Sequence, residues 1–114
     1  MRPNLITRGV RIDESTRDYV FHRLAFALNR TIRHVGAVTV RLKDDNGPKG
    51  GVDKLCQIML VIPGQAAIVV NKRATEWRAA IDKAAHEAAG TLAAALKKRQ
   101  RALRLALPDP LTSE

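Results

Sequence analysis

Polar and apolar positions alternate with a period of two in three stretches. Val38, Val40 and Leu42 alternate with Thr39, Arg41 and Lys43, the pattern of a half-buried strand. A second strand spans about Lys54 to Ile62, with Cys56, Ile58, Leu60 and Ile62 on one face. Pro63-Gly64 signals a turn, and a third strand from Ala66 to about Lys72 completes a hairpin. Residues 4–12 read as a further strand followed by a short extended turn.

Elsewhere the period is helical. Asp13-Glu14-Ser15-Thr16 is a helix-start cluster: short oxygen-bearing side chains accept the orphan N–H groups of a first turn, acids suit its positive end, and Ser15 fits the cap. Val20, Leu24, Ala27, Leu28 and Ile32 then share one face, which carries the helix to about Arg33. Phe21, Ala25 and Phe26 widen that stripe, while Arg17, Arg23, Arg30 and Arg33 lie off it. A last helix starts near Ala74 or Thr75, with Thr75 or Asn71 as cap. Trp77, Ile81, Ala84, Ala88, Leu92 and Ala95 form its apolar stripe, and Gly90 weakens it by ~1 kcal/mol. Pro108 and Pro110 end any helix, and the tail from Asp109 to Glu114 is expected to fray.

The order β-α-β-β-β-α defines an α+β fold. One four-stranded sheet with two helices packed on one face would bury every stripe named above. Residues 1–107 are expected to form a single domain and 108–114 a flexible tail. From Thr75 to Leu107 the last helix would span ~50 Å. A compact chain of this size is only ~35 Å across, so the helix end should overhang the body or fray. That end holds Lys97, Lys98, Arg99, Arg101 and Arg104.

Charge narrows the function. The 114 residues carry 20 Lys and Arg against 11 Asp and Glu, net +9, which favours polyanionic partners and chiefly nucleic acid. The 46% apolar content argues against wholesale disorder. No apolar run reaches the ~18 residues of a membrane span, and Met1-Arg2-Pro3-Asn4 opens no signal-peptide pattern. The expectation is a small, basic, soluble cytoplasmic domain. The only aromatics are Tyr19, Phe21, Phe26 and Trp77. All but Tyr19 fit helical core stripes, so a reader of backbone and shape is expected rather than a reader of splayed bases.

Catalytic and metal motifs fail inspection. His86-Glu87 begins a zinc-protease pair, but position 90 is Gly where the second histidine belongs. His22 and His34 have no ligand cluster at metal spacing, and Ser15 and Ser113 resemble no triad nucleophile. Asp44-Asp45-Asn46-Gly47 lacks the closing glutamate of a calcium loop. Gly47 to Gly50 matches the G-x-x-G loop of KH domains, but that loop joins helices and this one joins strands, where a flexible connection suffices. Lys49 and Lys54 there are placed to touch phosphate. Cys56 alternates with core positions and reads as a small buried hydrophobe. No enzyme activity, cofactor, metal or small-molecule substrate is expected.

Three segments carry a family resemblance. They are Arg23-Leu24-Ala25-Phe26-Ala27-Leu28-Asn29-Arg30, then Val38 to Leu42 running into Asp45 to Cys56, and Trp77-Arg78-Ala79-Ala80-Ile81-Asp82, which is similar to an aromatic-x-x-A-I-D/N stretch. In this order the chain resembles, over about residues 4–103, the ribosome hibernation-promoting factors, also called ribosome-associated inhibitor A or sigma-54 modulation proteins. The resemblance implies the same β-α-β-β-β-α fold, of the dsRBD-like kind. It also implies binding to the small ribosomal subunit near the decoding centre, across the mRNA and tRNA path, in starved or stationary bacterial cells and without catalysis. Long members carry an extra C-terminal module for pairing ribosomes, and this chain looks like a short form.

The resemblance transfers sites only in part. Arg23 and Arg30 stand where members often carry basic residues. A K-L-x-R-Q-L-x-K run usual in the last helix is absent from Glu87 to Ala94, and positive charge returns at Lys97. The expected contacts to 16S rRNA phosphates on the 30S subunit or 70S ribosome are therefore Arg23, Arg30 and Arg33 of the first helix, Lys83 of the second, and Lys97, Lys98 and Arg101 beyond it. The alternatives are a basic protein-interaction module or a general structured-RNA binder.

Overall fold

The computed structural model describes residues 3–44 and 54–106. Their elements are β1 (Asn4–Arg8), α1 (Glu14–Ala27), β2 (Ala37–Asp44), β3 (Lys54–Val61), β4 (Ile68–Ala74) and α2 (Trp77–Ala106), with a 3₁₀ turn at Ile32–His34. The expected α+β order is therefore present. Asp45 to Asp53, including the Gly47 to Gly51 stretch and Lys49, lie outside the described residues, as do Leu107 and the tail 108–114.

The four strands lie side by side in sequence order. β1 runs parallel to β2, and the two later pairings are antiparallel. A parallel pair needs a crossover, and α1 supplies it. Register then places the inward residues on common rungs: Val40 faces Ile58, which faces Val70, and Leu42 faces Cys56. These join Val20 and Leu24 of α1, Leu28 just after it, and Ile81, Ala84, Ala85, Ala88 and Leu92 of α2 in one buried cluster. Both helices thus cover the same face of the sheet.

The hairpin turn follows its chemistry. The Gln65 N–H donates to the Ile62 carbonyl at 3.0 Å. Between them Pro63 sets the first turn position, and Gly64 adopts φ +79°, a conformation that favours glycine.

Several boundaries differ from the sequence expectation. α1 ends at Ala27 rather than near Arg33. Beyond it the Asn29 N–H donates to the Phe26 carbonyl and the Thr31 N–H to the Leu28 carbonyl, so the chain tightens into three-residue turns. Asp13, not Ser15, caps α1 by accepting from the Thr16 N–H at 2.8 Å. The Thr16 hydroxyl and then its N–H hold the Asp13 carboxyl below its ordinary pKa. β4 begins at Ile68 and runs to Ala74, which pushes the start of α2 back to Trp77. Phe26 is not part of the core stripe and is 81% exposed.

α2 outgrows the body it packs on. Its 30 residues measure about 45 Å, whereas an eight-residue strand measures about 27 Å. Leu92 is its last fully buried residue, Leu96 is half-buried, and Lys97 to Ala106 are all exposed. The radius of gyration is 17.5 Å, against ~13 Å for a compact chain of this length.

Two outcomes follow for stability. Leu24→Ala and Leu92→Ala should each cost about 2–5 kcal/mol in urea unfolding, because both side chains are fully buried. The Cys56 thiol is buried and its pKa is pushed up to about 12, so a thiol reagent at pH 8 should label it only after denaturant unfolds the chain.

Candidate nucleic-acid interface

A chain of polar contacts aligns the two helices. Near their starts, Arg78 donates to the Ser15 hydroxyl at 2.8 Å and lies 4.6 Å from the centre of the Tyr19 ring. One turn on, the Tyr19 hydroxyl donates to the Asp82 carboxylate, which also accepts from Arg23 Nε at 3.1 Å. Further along, Ala27 and Arg30 line a groove with Ala89 and Ala93. Partners advance in the same direction on both helices, so α1 and α2 run parallel.

Parallel helices bring like ends together, and the charged residues sort accordingly. Asp13, Glu14 and Glu76 lie in or just before the first turns, and Asp18 and Asp82 follow in the second, toward the ends where helix dipoles are positive. Segments 19–43 and 88–106 contain no Asp or Glu at all. The opposite end of the molecule therefore carries cations without acidic neighbours along the chain: Arg30, Arg33, Lys97, Lys98, Arg99, Arg101 and Arg104. Glu87, the last acid of α2, is held by Lys72 at 2.9 Å.

The expected contact residues divide two ways. Arg30, Arg33, Lys83, Lys97, Lys98 and Arg101 are exposed. Lys83 and Arg101 are 18 residues apart, five whole turns, so they lie on one line of α2 with Lys97 close beside it, on the side away from Leu92. Arg23 is half-buried and shared with Asp82. Arg99 is drawn to the hairpin, where Nη1 lies 3.4 Å from the Pro63 carbonyl oxygen.

Two features escaped sequence reasoning. The open face of the sheet is also basic: Arg8, Lys43, Leu55 and Arg73 share one rung, and Ile6, Arg41, Gln57 and Asn71 share the next. The alternation around Val40 already turns Arg41 and Lys43 outward, which was the available signal. The second feature is Phe26 beside the inter-helix groove, which has a volume of about 580 Å³. Phe26 sits two residues after Leu24, about 200° around the helix, so a helical wheel puts it opposite the core.

Chemistry other than binding finds little support in the side chains. His22, His34 and His86 are exposed and far apart in the chain. Among the described residues no three His, Cys, Asp or Glu are grouped to hold a metal ion, and no helix is long and apolar enough to cross a membrane.

The fold and its cationic pole define a basic α+β domain. More narrowly, the chain belongs to the family described as sigma 54 modulation protein / S30EA ribosomal protein, whose model matches residues 4–103. This is a family of ribosome-associated, non-enzymatic hibernation and inhibitor proteins. Solved structures agree on the fold. A ribosomal subunit interface protein from Coxiella burnetii is similar with a TM-score of 0.73 and 13% identity, over 85% of this chain and 99% of that one. The N-terminal domain of Thermus thermophilus Protein Y is similar with a TM-score of 0.61 and 23% identity, over 78% and 91%. No curated protein matches the chain by sequence.

The inter-helix contact is open to titration. Its bond to Asp82 raises the Tyr19 pKa above 10.0, because only the protonated phenol donates. The stability it lends is complete below the ordinary tyrosine range and lost as pH rises through the raised value. Absorbance titration should show a high-pH phenol that returns toward its ordinary range in Asp82→Asn.

Proposed function

We propose that the chain binds the small ribosomal subunit near the decoding centre and inhibits translation by occupying the path of mRNA and tRNA. The observation that carries this reading is the sorting of charge: acids lie toward the helix starts, while the residues after α1 and the last part of α2 carry cations and no acid. Arg30, Arg33, Lys97, Lys98 and Arg101 then meet 16S rRNA phosphates, Lys83 extends the contact along α2, and Arg23 contributes from its place beside Asp82. Likeness to the Coxiella burnetii ribosomal subunit interface protein supports a ribosomal partner, and family membership supports action in the bacterial cytoplasm during starvation or stationary phase. Binding is steric and needs no cofactor.

A protein-interaction module is the second reading, favoured by one observation. Leu103 is 54% exposed and Leu105 81% exposed on the overhanging part of α2, where they offer apolar surface to a partner.

Sedimentation through sucrose separates the two. The protein should travel with 30S or 70S particles at ~50 mM salt. If about six cations meet phosphate, affinity should fall ~10³-fold by ~200 mM. The triple variant Lys97→Glu, Lys98→Glu, Arg101→Glu should remain at the top of the gradient at both salts. Wild type at the top at ~50 mM salt rejects the ribosomal reading. Loss of only a protein complex in the triple variant favours the second.

A further inference from the structure

The groove between the end of α1 and the middle of α2 has a construction unlike the cationic surface around it. Phe26 stands at its edge with its ring 81% exposed. Ala89, Gly90 and Ala93 line the α2 side after His86, Arg23 lines the α1 side, and Arg30 extends from the residues after α1. Gly90 lies close to the same outward line of α2 as Lys83 and Lys97, so small side chains replace long ones just where the groove opens. A Cβ built on Gly90 meets no atom within 4 Å, so the space is open rather than filled by a neighbour.

These parts suit one kind of occupant. A bare aromatic ring next to alanine and glycine offers a flat apolar surface, and a base has a π-face to lay on it. Arg30 supplies a cation for the attached phosphate. Asn29, also lining the groove, carries an amide that donates and accepts, which suits the edge of a base. No carboxylate lines the groove, so a cationic or basic-peptide occupant lacks a partner. A paired base in a duplex cannot present its face, because its neighbours cover it. The volume of about 580 Å³ falls within the range of small-ligand sites.

We propose that this groove takes one unstacked nucleotide of a structured RNA, with the base against Phe26 and the phosphate at Arg30. This rests on the reading that the chain binds structured RNA. It adds a non-ionic contact to a surface that otherwise holds phosphates, and it reverses the expectation that the chain offers no ring to a splayed base.

Full-length protein is titrated with a labelled RNA hairpin carrying one bulged nucleotide, and with the same hairpin fully paired. Wild type should prefer the bulged hairpin. Phe26→Ala should weaken that binding about 5- to 100-fold while leaving its salt slope unchanged, and Phe26→Trp should restore it. Arg30→Gln should reduce the slope by about 0.7–0.9. Gly90→Leu should abolish the preference by filling the groove. Both Phe26 and Gly90 lie off the core, and Leu favours a helix more than Gly, so lost binding there is not lost folding. Equal affinity of wild type for the two hairpins, or wild-type binding by Phe26→Ala and Gly90→Leu, overturns the proposal. Sedimentation separates it from the ribosomal reading. Ribosome association with no hairpin preference sinks the nucleotide site alone, while hairpin preference without ribosome association sinks the ribosomal reading alone.

Discussion

The parallel alignment of α1 and α2 on one face of the sheet is the constraint from which the surface follows. Two helix dipoles pointing the same way repel unless their ends are compensated. The sequence places Asp13, Glu14 and Glu76 at the starts and Arg104 in the last turn of α2, while Arg30 and Arg33 follow the end of α1, whose last turn has no basic residue. The Ser15–Arg78 and Tyr19–Asp82–Arg23 contacts hold the acidic ends in step. An arrangement that stabilises the helix pair also polarises the molecule. The cations near the helix ends are left facing outward.

Length mismatch adds reach. The sheet supports α2 as far as Leu92, and Arg99 still touches the hairpin turn at Pro63. Beyond that point no strand lies beneath the helix, His34 lines a groove with Arg99, Gln100 and Leu103, and the stripe continues as exposed Leu103 among arginines and lysines. Dipole compensation needs one or two cations in a last turn. The cationic run from Lys97 to Arg104 is longer than that and extends past the core, as expected of a segment that contacts a partner.

Positive charge is not confined to the helix ends. The open sheet face carries Arg8, Arg41, Lys43 and Arg73, on the opposite side from the helices. The domain thus presents cations on both broad faces. The inter-helix groove differs from both faces because Phe26, Ala27, Ala89, Gly90 and Ala93 give it an apolar part beside Asn29, Arg30 and His86.

Much of this was legible in the sequence. Strict alternation in β2 and β3 identified the inward residues, since a period of two leaves each residue only one of two faces. The stripe of α2 identified Ile81, Ala84, Ala88 and Leu92 for the same reason at a helical period, and the length of that helix already implied an overhang. The short apolar stripe of α1 was ambiguous, because Phe26 is hydrophobic by type and only its angle around the helix sends it outward. The end of α1 was also hidden, since Ile32 keeps the apolar spacing after the backbone has tightened into three-residue turns. What tertiary structure alone decided was pairing across elements: that Asp82 engages Arg23 and Tyr19, that the helices run parallel, and that Gly90 opens beside Phe26. Local periodicity says which side of an element is buried, but the neighbour that covers it depends on contacts between residues some sixty positions apart, and no local pattern encodes those.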